Sequence, residues 1–478
     1  MDEQLYLRKL RGCWFGKAVG GTLGQPYEGL SGPLRLTFYD PVPTDMVPND
    51  DIDLQVLWAC LLDRMETPVV DRQTLADGWL ANVNFPWDEY GMAIRNLRRG
   101  IRPPHSGRYD NFFIDGLGAA IRSELWASLA PGNPELAAKF AYEDACVDHD
   151  GDGLWAEIYL AALESMAFLE SDLDSLVTSA LHYIPATSVL HRALTDTCNW
   201  CARSEDPAVI RRQIMETYYC ENFTSVVMNL PFIVAGLLLG KGDFSRSICL
   251  AANMGQDTDC TAASVGAILG LRNPNAIGAE WLKPIGNKLV LNDGIVGITP
   301  PATLDDFCAM INRLRKRIRL RDAASAAPEP EWPKLANKVE IAVVNLGNKK
   351  NGLTPHYQPM EFPGLWCRYP ATGLTPDYQV IVRRQFKIRR SDNYRLMVNS
   401  SAISRVYLND EFIFGRDGGA MVPSFHRAPL NQWLDRKLLP GEYELKIVLS
   451  PLAGMEELEW VMGIGDVATK QWLTDAFD

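Results

Sequence analysis

No stretch of this 478-residue chain stays apolar for the roughly 20 residues that a bilayer-spanning helix needs. The longest apolar run, residues 226–239, is shorter than that and is broken by Asn229 and Pro231, so it reads as a buried helix. Cysteine is present but not arranged. Ten are scattered without disulfide-framework spacing, and the one close pair, Cys198 and Cys201, has no second pair at zinc spacing. The pair reads as two ordinary buried thiols. Positive charge is in deficit, with a net −12. From Lys338 onward 17 Lys and Arg face 16 Asp and Glu, which leaves −13 on the residues before it. An acidic main body argues against nucleic acid or an anionic membrane as partner. The opening MDEQLYLRKLRG holds acids and no apolar run, so no signal peptide is expected and the expected compartment is the cytoplasm. Strand-like alternation is nearly absent before residue 320, and no internal repeat is visible.

What is present is helical periodicity. Leu54, Leu57, Trp58, Leu61 and Leu62 recur at helical spacing after an Asp-rich start. Residues 154–169 (LWAEIYLAALESMAFL) are apolar nearly all round and predict a central helix. Ala262, Ala263, Gly266, Ala267 and Gly270 give another helix a face of small residues that can approach a neighbour closely. Residues 321–333 (RDAASAAPEPEWP) are rich in Ala and Pro and read as a linker. Beyond it the period changes to two: Tyr443, Leu445, Ile447 and Leu449 alternate with polar residues, and VYLNDEFIFG predicts a hairpin turning at Asn409 and Asp410. The chain is expected to divide into an all-α domain at 1–322, a linker at 323–337, and an antiparallel, jelly-roll-like β-sandwich at 338–478.

Acidic residues cluster at three places far apart in sequence: Glu28 in GKAVGGTLGQPYEG, Asp50, Asp51 and Asp53 in NDDID, and Asp257 with Asp259 in NMGQDTDC. The last two clusters each begin a predicted helix. One Asp there is explained as a cap on free backbone amides; closely spaced pairs in two such places are not. If the helix starts meet, each like-charged pair at ~5 Å costs about 3 kcal/mol at an effective dielectric near 20. Four such carboxylates, Asp50, Asp51, Asp257 and Asp259, make six pairs, which would rival the ~5–15 kcal/mol stability of a whole domain. Neither motif contains a Lys or Arg, so either the groups stay apart or cations sit between them. All-oxygen ligands select hard ions such as Mg²⁺, Mn²⁺ or Ca²⁺.

These motifs, together with GLGAAIRSELWASLAPGNPELAAKFAYEDACVDHDGDG and in this order, resemble the ADP-ribosylglycohydrolases over residues 8–320. The resemblance implies an all-α fold around one or two Mg²⁺ or Mn²⁺ ions. It implies metal ligation by Asp50, Asp51, Asp257 and Asp259, with Asn49 at the position of a ligating threonine. Glu28 matches a mobile glutamate near the scissile bond, so Glu28, Asp51 and Asp257 are the expected catalytic residues. Gly116, Leu117, Gly118 and Ala119 match a loop along the substrate diphosphate. His149 and Asp150 match a segment lining the ribose. Three threonines of the pattern are replaced, by Asn49, Ile52 and Cys260. Asn49 retains a carbonyl oxygen; Ile52 offers none, and a neutral Cys260 thiol is a poor ligand for a hard ion. Thr258, Thr261 and Asp53 are candidates to compensate. The implied activity is metal-dependent hydrolysis of an α-linked ADP-ribosyl bond on a protein side chain or small molecule. Two alternatives stand beside it: a glycosidase of another sugar conjugate, with the β-sandwich binding carbohydrate, and a non-catalytic ADP-ribose-binding relative. The sequence leaves the oligomeric state open.

Overall fold

The first helix, Glu3–Gly24, is capped by Asp2, whose carboxylate accepts from the Leu5 N–H. Glycine recurs at every fourth position, Gly12, Gly16, Gly20 and Gly24, and so occupies one face. That face lies against helix Thr258–Arg272, the one with the small-residue face. A Cβ at Gly16 would come 2.1 Å from the Gly266 carbonyl oxygen, and one at Gly20 would come 2.1 Å from that of Ala262. Only hydrogen fits at these positions, and the close approach carries the start of the second helix to the end of the first.

In the computed structural model, residues 1–320, 330–332, 336–347, 354–425, 428, 430–473 and 477 are described. They fall into two compact units. One comprises Met1–Asn84, Arg102–Arg108 and Phe113–Glu329; the other comprises Phe85–Ile101, Tyr109–Phe112 and Pro330–Asp478. The first unit is helical: its only named strands among the described residues are the short parallel pair Val69–Val70 and Arg319–Leu320. Helix Gly151–Ala167 is buried along nearly its whole length, and so is helix Val226–Gly240, which contains Pro231. No helix among the described residues is long and apolar enough to cross a membrane.

The second unit is built on two antiparallel sheets. The six-stranded sheet runs Gln358–Phe362, Asn337–Asn345, Tyr378–Ile388, Gly441–Ser450, Ile403–Leu408, Glu411–Asp417. The four-stranded sheet runs Trp433–Leu438, Asp392–Ser400, Glu457–Asp466, Trp366–Pro370. Their inward residues, among them Ile341, Val382 and Ile447 from one sheet and Leu396 and Trp460 from the other, share one core. The expected hairpin turns at Asn409 and Asp410, both with positive φ (47° and 67°), the geometry of a two-residue turn.

Two segments of the expected all-α stretch, Phe85–Ile101 and Tyr109–Phe112, group with the second unit. Helix Asp88–Arg98 belongs to the second unit, because Met92 packs with Leu365, Met397, Phe425, Val461 and Trp472. Asp110 joins it there, its Oδ1 accepting from the Leu365 N–H at 2.8 Å. A linker read from local composition misses segments recruited from far upstream. Of the expected linker, residues 323–329 and 333–335 lie outside the described residues.

Candidate active site

Glu28 follows the 3-10 turn Gln25–Tyr27 that ends the first helix, and it is exposed. The next residues bind the loop before Asp257: the Gly29 N–H donates to the Gln256 carbonyl at 2.9 Å, and the Gln256 N–H donates to the Leu30 carbonyl at 2.7 Å. Gly255 sits at φ 81°, where an added Cβ would come 2.6 Å from the Gly32 nitrogen, so both conformation and space require glycine. Asp257 stands at the N-cap of helix Thr258–Arg272 without making a capping bond. Its backbone N–H is held instead by Asn229 Oδ1 at 3.3 Å, and Asn229 is fixed by donating to the Phe223 and Ser225 carbonyls at 2.8 and 2.9 Å. Thr258 Oγ1 donates to the Gly24 carbonyl at 2.8 Å.

Asn49 joins the two acidic helix starts. Its Oδ1 accepts from the Asp51 N–H at 2.8 Å and caps helix Asp50–Asp63. Its Nδ2 donates to Asp259 Oδ2 at 3.1 Å. Asp51 is backed by a fully buried Lys17, whose Nζ lies 3.5 Å from Asp51 Oδ1 and 2.7 Å from Glu124 Oε1. Gln55 completes the support, donating to the Asp51 carbonyl at 2.7 Å and to Glu124 Oε2 at 2.9 Å. Neither acidic motif contains a Lys or Arg; the one that faces Asp51, Lys17, comes from the glycine-rich opening motif, across the fold.

One carboxylate oxygen each from Glu28, Asp257 and Asp259 lie within 4.8 Å of one another, and so do ligand atoms of Asp51, Asp259 and Cys260. Asp51 Oδ2, Asp257 Oδ1 and Asp259 Oδ1 are buried with no hydrogen-bond partner. Without a cation the charged forms are disfavoured. Burial raises Asp51 to about 7 against the pull of Lys17. Burial, then the charges of Asp259 and Glu28, push Asp257 well above the carboxylate range. Asp259 is raised by burial, moderated by hydrogen bonds that include Asn49. Unpartnered buried carboxylate oxygens converging in two groups are the donor chemistry that a divalent cation satisfies.

A family model described as ADP-ribosylglycohydrolase matches residues 2–322. The chain belongs to the ADP-ribosylglycohydrolase family. It is 26% identical over 305 residues to an uncharacterized protein of Archaeoglobus fulgidus, an alignment covering 60% of this chain and 94% of that one. Among solved structures it resembles an ADP-ribosylglycohydrolase-related protein complex at 20% identity and a TM-score of 0.44, covering 66% of this chain and 99% of the other. A β-glucosidase from Kluyveromyces marxianus in complex with glucose aligns at 12% identity and a TM-score of 0.20, over 28% of this chain and 16% of that one. Likenesses this slight carry no argument about activity.

The remaining family positions fall in several places. Asp50 belongs to neither ligand group. It is half-buried at the first helical position, and consecutive helix residues point about 100° apart. Burial and the charges of Asp51 and Asp259 push its carboxyl well up. Both ends of the Asn49 amide are engaged within the protein, Oδ1 by the Asp51 N–H and Nδ2 by Asp259, so it positions both carboxylates. Gly116, Leu117, Gly118 and Ala119 are all buried. Gly116 pairs with Ser225, and the Gly118 carbonyl accepts from Arg122 Nη1 at 2.7 Å. Behind them lie a 3-10 turn, Ala120–Arg122, and the short helix Ser123–Leu129. His149 is fully buried, its Nδ1 3.2 Å from Asp148 Oδ2, beside an Arg122 that also binds Asp144 at 2.9 Å. Asp150 is half-buried before helix Gly151–Ala167 and pairs with Arg108 at 3.2 Å. Ile52 is buried, and Asp53 accepts from the Asn292 N–H at 3.2 Å. Sequence reading missed Lys17, Gln55, Glu124 and Asn229. A lysine inside a helix of glycine and apolar residues was the one available signal.

Proposed function

We propose that the chain is a divalent-cation-dependent hydrolase of a ribosyl glycosidic bond, with an ADP-ribosyl conjugate of a protein side chain or small molecule as substrate. The observation that carries this reading is the convergence of Glu28, Asp51, Asp257 and Asp259 with three buried, unpartnered carboxylate oxygens, in a chain of this family. Asp51, Asp257 and Asp259 would hold the ion or ions, with Mg²⁺ or Mn²⁺ suited to the all-oxygen group. When bound, a divalent ion supplies charge compensation and Lewis-acid polarisation of vicinal ribose hydroxyls. The chain's own groups do the rest. Asn49 and Lys17 hold Asp259 and Asp51 in place, which supplies orientation. Exposed Glu28 handles the proton as water adds to the anomeric carbon and the carbon–nitrogen or carbon–oxygen bond to the leaving group breaks.

The burial of Gly116, Leu117, Gly118 and Ala119 favours a second reading of the substrate, a ribosyl conjugate recognised without its diphosphate. Calorimetry on cation-loaded protein with ADP-ribose and with uncharged ribosides separates the two. Preferential binding of ADP-ribose supports the first; equal binding supports the second; no ribosyl ligand bound at millimolar concentration rejects both. Hydrolysis assays with Glu28→Gln and Asp257→Ala complete the test, with loss of turnover expected in each.

A further inference from the structure

The two ligand groups differ in one atom type. Glu28, Asp257 and Asp259 offer oxygen alone, whereas Asp51 and Asp259 are joined by Cys260 Sγ. We propose that the two positions are unlike: the oxygen group takes a hard ion, and the group containing Cys260 takes a softer divalent ion, of the Co²⁺, Fe²⁺ or Zn²⁺ class, through its sulfur. This rests on the cation-dependent reading of the site and specifies which ions it selects.

Cys260 is buried, like several other cysteines of the chain, but its surroundings set it apart. It lies in the first turn of helix Thr258–Arg272, among the buried carboxylates of Asp51, Asp257 and Asp259. Two fully unpartnered oxygens, Asp51 Oδ2 and Asp259 Oδ1, belong to the carboxylates grouped with it. A thiol is a weak donor and cannot satisfy both. An ion satisfies both and binds the sulfur as well. On ligation the S–H bond breaks, the proton leaves to solvent, and a sulfur lone pair forms the bond to the ion; no electron changes hands. Sulfur discriminates against Mg²⁺ and in favour of later first-row ions more strongly than carboxylate oxygen does. Asp259 belongs to both groups, so one carboxylate couples a hard position to a soft one.

The test is spectroscopic and does not depend on turnover. Intact protein is titrated with Co²⁺, followed by near-ultraviolet absorption of the sulfur-to-cobalt charge-transfer type, and then challenged with Mg²⁺. Wild type is expected to show the absorption. Cys260→Ser, which exchanges sulfur for oxygen at nearly constant shape, is expected to lose it. The Co²⁺ over Mg²⁺ preference should fall at least about tenfold in that variant, or about 1.4 kcal/mol. Circular dichroism checks its fold, and Asp259→Asn, expected to lose the absorption too, is the second variant if Cys260→Ser does not fold. Bound Co²⁺ without the absorption, or an absorption unchanged in Cys260→Ser, overturns the inference while leaving the cation-dependent reading intact. Failure of wild type to bind either ion overturns both.

Discussion

Gly24 lies directly beneath Asp259: a Cβ on Gly24 would stand 2.4 Å from the Asp259 Cα and 2.3 Å from the Thr258 carbonyl oxygen. The atoms in the way are backbone, so no side-chain rotation relieves the clash. Gly24→Ala is expected to lift the start of helix Thr258–Arg272 away from Glu28. We expect a stability loss of about 1–3 kcal/mol, typical of overpacking, and a fall in cation affinity of more than tenfold, about 1.4 kcal/mol. Denaturant melts and calorimetric titration measure the two. Unchanged cation affinity would show that the helix start is not what sets the ligand positions.

Lys17 is a buried cation between two buried acids, 3.5 Å from Asp51 and 2.7 Å from Glu124. Lys17→Met keeps the bulk and removes the charge. Breaking a buried pair from one side costs roughly 3–5 kcal/mol, and that is the destabilisation expected in a urea melt. A variant as stable as wild type would mean that Asp51 and Glu124 are already neutral without it.

The pH dependence of the cation-free protein has a definite sign. In the folded chain burial raises Asp51 to about 7 and Asp53 to about 8. Unfolded aspartate titrates near 3.9. Between about pH 4 and 8 the folded state therefore binds more protons than the unfolded one, and the contribution of these groups to stability declines as pH rises through that window. In chelator, the melting temperature should drop from about pH 5 to pH 8, and Asp53→Asn should flatten the drop. A divalent ion at 100 times its Kd adds about 2.7 kcal/mol, and its binding should tighten toward pH 8, where fewer protons compete with it. A melting temperature that climbs with pH in chelator contradicts the assignment.

In the second unit, a Cβ on Gly364 would meet Asp110 Oδ1 at 2.1 Å, the oxygen that accepts from the Leu365 N–H. Gly364→Ala is expected to cost about 1–3 kcal/mol. Gly441→Ala, whose Cβ finds nothing nearer than 3.8 Å, is the near-neutral control. Thermal melts of the full chain distinguish them.

The chain disclosed its periodicities more readily than its junctions. Helix Asp50–Asp63, helix Val226–Gly240 and the hairpin at Asn409 and Asp410 follow from spacing and turn chemistry that any local window contains. The acidic helix starts were legible for the same reason, because caps and clustered carboxylates are local. What joins them was not. Lys17 is 34 residues from Asp51 and 107 from Glu124, Asn49 is 210 from Asp259, and nothing in one window names its partner in another. The recruitment of helix Asp88–Arg98 into the β-rich unit was hidden likewise, since Met92 looks like any core residue until Trp472 and Val461 are beside it. The glycine spacing of the first helix was visible, but its meaning depended on which helix would lie across it.

That spacing has a consequence for how the site could change over time. Because backbone meets backbone at Gly12, Gly16, Gly20 and Gly24, the two helices cannot slide by a fraction of a turn; the nearest alternative seating is a whole turn away, about 5.4 Å. Such a step would carry Asp259 out of reach of Glu28 altogether. The ligand geometry is thus indexed like a detent, held or lost but not graded. Variation that tunes this site is confined to the side chains projecting into it, Cys260 and Asn49 among them, while the helix pair that presents them stays fixed.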